Sequence, residues 1–307
     1  MIYTCTLNPA IDYRLEVDDF QLGKLNRATF NKFSAGGKGI NVSLVLKALG
    51  LESIALGFMG GFTGIYLQQY LTEVHQLKND YTIIKAPTRI NVKLASKENT
   101  EINAVAPTVS REERDLLIGK IDQLTEKDLL VLAGSSIEAD DNFYELIAKT
   151  CAKNNVPFII DAEEENLRKS IVHKPLLVKP NIHELERYYK VTINDEASIV
   201  KHAKKLVQEG ANHVIVSLGR DGAYYVSKTH VYRAKPVEGI ALNPVGAGDS
   251  MVAGFIFGML ENQSPKESFK LAVASGTAAA FSYDLASQEA VETILPNVEI
   301  NEVPYED

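Results

Sequence analysis

Cysteine is scarce in this chain. Two thiols, Cys5 and Cys151, stand among 307 residues. Their spacing matches no metal-ligand pattern, and two are too few for a disulfide framework. Cys5 lies in an apolar run and Cys151 follows a helix-like stretch, so both are expected as reduced core thiols. Positive charge is also in short supply: 32 Lys and Arg stand against 40 Asp and Glu, a net charge of -8. That balance argues against a broad nucleic-acid footprint, which needs a basic face. Small anionic ligands need only a local cluster of Lys and Arg, so they stay open. No apolar span is long enough for a bilayer, and the chain opens on strand-like sequence with no basic n-region or cleavable apolar segment. A cytoplasmic protein without a membrane partner is expected. The six histidines are scattered, none paired at metal spacing, and there is no Gly-x-Ser-x-Gly elbow. Internal repeats, low-complexity tracts and Pro/Ser-rich linkers are missing too.

What the chain does have is a series of short apolar runs, at 2–7, 53–58, 129–133, 157–161, 176–179 and 214–218. Helical periods lie between them. Val42, Val45, Leu46 and Leu49 recur at helical spacing before Gly50, and Ile199, Ala203, Leu206 and Val207 do so before Gly210. Alternation of this kind predicts an α/β fold, with a mostly parallel sheet and helices on both faces. Two stretches break it. Residues 12–32 alternate loosely, and 88–106 read as two short strands around a polar turn. They are expected to pair as a small discontinuous β lid, 12–32 with 88–106, beside a main domain of 1–11, 33–87 and 107–307. Residues 222–226 and 230–234 read as a hairpin.

The segment richest in chemistry is Asn243-Pro-Val-Gly-Ala-Gly-Asp-Ser250, which leads into an apolar helix. Gly246 and Gly248 permit a turn of converging N–H groups, and the helix end behind them adds partial positive charge. Asp249, in the first turn, is either a helix cap or a carboxylate that takes a hydroxyl proton while the cradle holds a phosphoryl group. Ser34-Ala-Gly-Gly-Lys-Gly-Ile-Asn41 opens another helix. It is not a P-loop, because Gly39 rather than Ser or Thr follows Lys38. Its glycines still admit a ligand, and Lys38 offers a point charge. Lys179-Pro-Asn181 with Glu184 reads as a capping box, or as a site near Mg²⁺ and its waters. Ser217-Leu-Gly-Arg-Asp-Gly222 is a turn that could wrap a nucleotide.

These four elements in this order resemble the ribokinase-like carbohydrate kinases of the phosphofructokinase-B type, over essentially the whole chain. Thr6-Leu-Asn-Pro-Ala-Ile-Asp12 and Gly57-Phe-Met-Gly-Gly-Phe-Thr-Gly64 look like the branch acting on phosphorylated ketohexoses. The resemblance implies a three-layer α/β/α fold, ATP and Mg²⁺, and a ketohexose phosphate as acceptor. The lid's apolar side chains, Val17, Phe20, Ile90 and Val92 in some combination, need cover, so a homodimer through a second subunit's lid is expected; a monomer whose lid folds onto its own main domain is the alternative. It makes Asp249 the catalytic base and Gly246, Ala247 and Gly248 the anion hole. Asp12, Arg27, Gly37, Lys38, Asn41 and Arg89 fall to the sugar phosphate. Lys179 and Asn181 fall to ATP, as do Ser217, Leu218, Gly219, Arg220, Asp221 and Gly222, together with Gly248 and Asp249. Glu184 is the metal residue. Fructose 1-phosphate, phosphorylated at its 6-hydroxyl, is the implied acceptor; tagatose 6-phosphate and fructose 6-phosphate are the alternatives, and a non-catalytic sugar-phosphate sensor the remote one. Relatives usually carry a proline in the turn that here reads Gly134-Ser-Ser-Ile-Glu138.

Overall fold

The computed structural model describes residues 1–137 and 142–304, so Glu138 of the proline-less turn lies outside the described residues. Fifteen strands appear among them: β1 Ile2–Thr6, β2 Ala10–Glu16, β3 Phe30–Gly36, β4 Ser53–Gly60, β5 Lys78–Asn79, β6 Thr82–Ile84, β7 Arg89–Ala95, β8 Thr100–Ile102, β9 Leu129–Ala133, β10 Phe158–Asp161, β11 Leu177–Val178, β12 His213–Ser217, β13 Ala223–Ser227, β14 Val231–Ala234 and β15 Ile300–Val303. Eleven of these make one sheet in the order β15-β14-β13-β12-β11-β10-β9-β1-β4-β5, with β6 also on β4. From β4 to β12 the pairing is parallel; β12 to β15 is antiparallel.

The continuous apolar runs follow from burial on both faces of this sheet. In β9, Leu130 and Leu132 enter one core while Leu129, Val131 and Ala133 enter the other. The helices Phe143–Lys153 and Glu196–Glu209 cover the first face; Lys38–Ala48, Ala247–Leu260 and Pro265–Ala280 cover the second. This is the three-layer arrangement read from the sequence. Cys5 and Cys151 are both free and fully buried in the first core. Burial pushes both thiols upward, Cys151 to about 12, so they stay protonated. Among the described residues no helix is long and apolar enough to cross a membrane.

The remaining strands form a second sheet, ordered β3-β2-β7-β8. β2 pairs with β7 in parallel over its whole length, so two segments far apart in sequence complete one another's ladder. An isolated hairpin would be marginal in water. The strands run past the boundaries read from sequence: β2 begins at Ala10, and β3 continues to Gly36. The two faces of this lid differ. Asp12 stands beside Ser34 and Asn91 on one face. The other carries Tyr13 beside Phe33 and Val92, with Ile90 and Ile102 in the same register.

β1 lies between β4 and β9, where successive parallel connections turn to opposite sides. In open α/β sheets the crevice at the carboxyl ends of such strands is where ligands bind. The segments after β1, β10, β11 and β12 all emerge at that edge. The packing there is close: Gly57 in β4 has φ +137, and a Cβ on it would lie 1.9 Å from the carbonyl oxygen of its β1 partner Thr6. Gly57→Ala combines a disfavoured φ with a backbone clash. It should lower stability by at least about 2 kcal/mol, measured as a drop in the urea midpoint.

Candidate active site

At the carboxyl edge lies a cavity of about 830 Å³. Its wall gathers Asp12, Gly37, Lys38, Asn41 and Arg89 from the lid side, with Lys179, Asn181, Glu184, Ser217, Leu218, Gly219, Arg220 and Gly222 across from them. Gly246, Ala247, Gly248 and Asp249 stand between the two groups. Segments widely separated in sequence thus meet in one cleft. Two expected residues do not join its wall. Arg27 is exposed in the connection between β2 and β3, where no strand pairing directs it inward. Asp221 sits in the turn Gly219–Asp221, and its carbonyl accepts from Arg233 Nη2 at 2.6 Å.

Four charges occupy the middle of the cleft. The Asp161 carboxylate, 2% exposed at the end of β10, accepts from Lys38 Nζ at 3.0 Å on Oδ1. Lys179 Nζ lies 3.3 Å from its other oxygen, an ion pair without hydrogen-bond alignment. Burial pushes Asp161 upward, but Lys179 and Lys38 outweigh it and hold the group below its ordinary value. Asp161 in turn raises Lys38, more than burial lowers it. Asp249 is 5% exposed, and its Oδ2 accepts from Asn41 Nδ2 at 2.7 Å. Burial, then the charge of Asp161, raise Asp249 from 3.8 to about 6, against the pull of Asn41, Lys38 and Lys179. A carboxyl in that range is ionised at neutral pH yet basic enough to take a proton.

Asp249 belongs to the first turn of Ala247–Leu260, capped by Gly246 in the left-handed region at φ 80. Two positions of this turn are tight for a side chain. A Cβ on Gly246 would lie 2.4 Å from Leu285, and one on Gly248 would lie 2.8 Å from Lys179 Nζ. First-turn amides have no partner within their helix and suit an anion. Ala247 N–H already makes a long contact to Pro244 O at 3.3 Å, which leaves Gly248 and Asp249 as the better placed donors. Asp249 makes no side-chain cap bond to this helix, so capping does not account for it.

On the lid side, Asp12 Oδ1 accepts from Asn91 Nδ2 at 2.8 Å. Arg89 donates to Asn8 O at 3.1 Å and Ala104 O at 3.2 Å, and its buried Nε has no partner in the protein. Burial lowers its pKa, opposed by Asp12. Across the cleft the expected capping box is present, with Glu184 N donating to Asn181 Oδ1 and Asn181 N to Glu184 Oε2, each at 2.8 Å. Ser217 pairs with this segment through Pro180 O at 3.1 Å. Val237, Ala241, Val273 and Phe281 supply an apolar wall beside the turn 217–222. Among the described residues there is no group of three or more His, Cys, Asp or Glu able to hold a metal.

Asp161 and Asn8 are missing from the sequence reading. Asp161 closes an apolar run, where an acidic residue at the carboxyl end of a parallel strand is a usable signal. Asn8 stands in the quoted 6–12 motif without a role. Its Nδ2 donates to Ser135 Oγ at 3.2 Å and Ser136 O at 3.4 Å, which fixes the turn that lacks proline, while its Oδ1 is buried without a partner. His183, one of the scattered histidines, reaches the cavity rim and stands 3.2 Å from Glu186 Oε2.

A family profile described as pfkB family carbohydrate kinase matches residues 5–290. The chain is 44% identical over 303 residues to a 1-phosphofructokinase of Bacillus subtilis, covering 98% of this chain and 99% of that one. It is 40% identical over 306 residues to a 1-phosphofructokinase of Borreliella burgdorferi, covering 99% of each. Among solved structures, phosphofructokinase-2 from Escherichia coli in complex with substrates and products has a TM-score of 0.90 at 28% identity, covering 96% of this chain and 98% of that one.

The raised pKa of Asp249 has a thermodynamic cost. Its carboxyl titrates near 3.8 unfolded and near 6 folded, so ionisation at pH 8 works against the fold, and the penalty fades as pH falls from 6 toward 4. Asp249→Asn should therefore raise Tm at pH 8 and lose that gain by pH 4, as read by scanning calorimetry at both values.

Proposed function

The chain belongs to the pfkB family of carbohydrate kinases, and we propose that it transfers the γ-phosphoryl group of ATP to the 6-hydroxyl of fructose 1-phosphate, giving fructose 1,6-bisphosphate and ADP. That it is an ATP-dependent sugar kinase follows from the family itself. The observation that carries the reading is Asp249: a buried carboxylate near pKa 6, at the mouth of a glycine-bounded helix, in the middle of the cleft. The two 1-phosphofructokinases it resembles over nearly their full length support the choice of acceptor.

In the proposed step, O6 of the sugar bonds to the γ-phosphorus as the bond from that phosphorus to the β,γ-bridging oxygen breaks. The O6 proton passes to Asp249. Phosphoryl transfer asks mainly for positioning and charge neutralisation. First-turn amides of Ala247–Leu260, with Lys38 and Lys179, supply positive potential where charge collects. Asp12 and Arg89 line the sugar end. Asn181 and the 217–222 turn line the nucleotide end. Arg27, at the lid's free end, completes the sugar-phosphate set only when the lid closes.

The donor set suits Mg²⁺. That ion takes one or two carboxylates and keeps several waters and substrate phosphates, and Glu184 on the cleft wall offers such a carboxylate. Glu184 is the residue that would hold it, since Asn181 N–H engages one of its oxygens and fixes the carboxylate. When bound, Mg²⁺ would neutralise charge on the nucleotide phosphates. The proposed setting is the cytoplasm, where ATP is supplied and buried thiols stay reduced.

Initial rates with purified protein, ATP and Mg²⁺ test the acceptor. Fructose 1-phosphate should give a higher kcat/KM than fructose 6-phosphate or tagatose 6-phosphate, and a different ranking would reassign the substrate. Asp249→Asn should bind both substrates while losing at least about 10²-fold in kcat.

We also propose a homodimer through the lid. The lid face away from the cleft exposes Phe33, Ile90 and Ile102. It continues onto the helix Gly61–Gln69, where Phe62 and Ile65 are exposed and the Tyr66 ring stands 6.0 Å from Phe33. A contiguous apolar surface of this kind marks an interface. Sedimentation velocity at micromolar concentration should show a species near twice the 33.8 kDa chain mass. A monomer unmoved by concentration or substrate would remove the proposal.

A further inference from the structure

We propose that Asp161 is a positioning residue for this reaction: its one buried carboxylate holds Lys38 and Lys179 in place and so keeps Asp249 free of a salt bridge. The proposal rests on Asp249 being the base. Lys38 comes from the helix behind the lid, and Lys179 from the segment after β11. They reach the cleft from opposite sides, and each oxygen of Asp161 faces one of them, at 3.0 and 3.3 Å.

A purely stabilising role explains this poorly. Asp161 and Lys179 are almost fully buried while Lys38 stays partly exposed, and the desolvation of the buried pair offsets much of their attraction. Tethering two flexible amines in a cleft also provides the fixed positive charge that phosphoryl transfer needs. The alternatives open to the lysines make the point sharper. Around Asp249 stand Lys38 from the helix Lys38–Ala48, Lys179 beyond β11 and Asp161 at the end of β10, with Asn41 as its hydrogen-bond partner. Released from Asp161, Lys38 has two other carboxylates whose charge it already feels, Glu184 and Asp249. A lysine that settled on Asp249 would lower its basicity and occupy the oxygen that must meet the substrate hydroxyl. Asp161 therefore acts in two ways. It fixes the amines by contact, and its negative charge offsets theirs at Asp249.

Two variants separate these effects. Asp161→Asn keeps the shape and removes the charge. It should reduce kcat by about 10²-fold, the scale of misplaced catalytic groups, and move the acid limb of the kcat/KM profile to lower pH. Asp161→Glu keeps the charge but displaces it by a methylene. It should lower kcat while leaving the acid limb where the wild type has it. Carboxyl ¹³C NMR of Asp249 in the unliganded proteins reads the same titration without turnover: downward in Asn, unmoved in Glu. A folded Asp161→Asn protein with wild-type kcat, or with the Asp249 titration unshifted, would overturn the proposal. Should Asn fail to fold, wild-type kcat in Asp161→Glu would overturn it equally. If the wild type turned over no ketohexose phosphate, the functional reading would fall, while the NMR titrations would still decide the relation between Asp161 and Asp249.

Discussion

The cleft depends on keeping one carboxylate charged where water barely reaches it. An isolated ionised carboxyl in an apolar site would take up a proton instead. Asp249 avoids that outcome by a narrow margin. Asn41 donates to it, Lys38 and Lys179 stand near, and Asp161 takes back part of what they give. The two lysines and two aspartates together sum to zero charge. A carboxylate in this balance is neither buried inertly nor locked in an ion pair, the two ways in which such groups usually lose their reactivity.

The surrounding architecture follows from that requirement. The helix Ala247–Leu260 presents Asp249 from its first turn to the cleft, and the glycines at 246 and 248 leave the room that Leu285 and Lys179 occupy. The parallel sheet delivers the other parts, because parallel strands all end at one edge and connections of opposite sense diverge at β1. The lid then supplies the wall that the main sheet lacks. Its polar face, with Asp12 bonded to Asn91, brings Asp12 to the cleft wall. Its apolar face is the reverse side of the same strands and cannot also face water at no cost.

Much of this was legible because it is local. Burial on both faces requires runs such as 129–133, and a glycine pair before an apolar helix has few other uses. The Asn181–Glu184 box and the Gly246–Asp249 turn each lie within a few residues. What escaped was tertiary. Asp161 signals locally only that an acid closes a buried strand; its role lies in two lysines contributed by other segments. The short edge strands β5 and β6 owe their pairing to β4 rather than to their own composition. Arg27 was assigned by likeness alone, and nothing in its neighbourhood directs it to the wall. The lid boundaries were set where alternation weakens, whereas the ladder runs on to Ala10 and Gly36 because backbone pairing needs no apolar side chain.

The way the lid is attached also limits how it can travel. β3 passes into the helix Lys38–Ala48 through Gly37 alone, and β1 joins β2 through Leu7, Asn8 and Pro9, with no slack to slide. Arg89, at the start of β7, grips Asn8 O and ties these crossings side by side. Two such short crossings oppose sliding, so a movement of this sheet would be a swing about them. In such a swing, groups of the sheet near the axis, Asp12 and Arg89, would hardly shift. Its far end behaves otherwise: β2 spans seven residues, and a strand of that length is about 23 Å long, so a turn of about 10° sweeps its tip through about 4 Å. The leverage is greatest in the 17–29 connection, which carries Arg27.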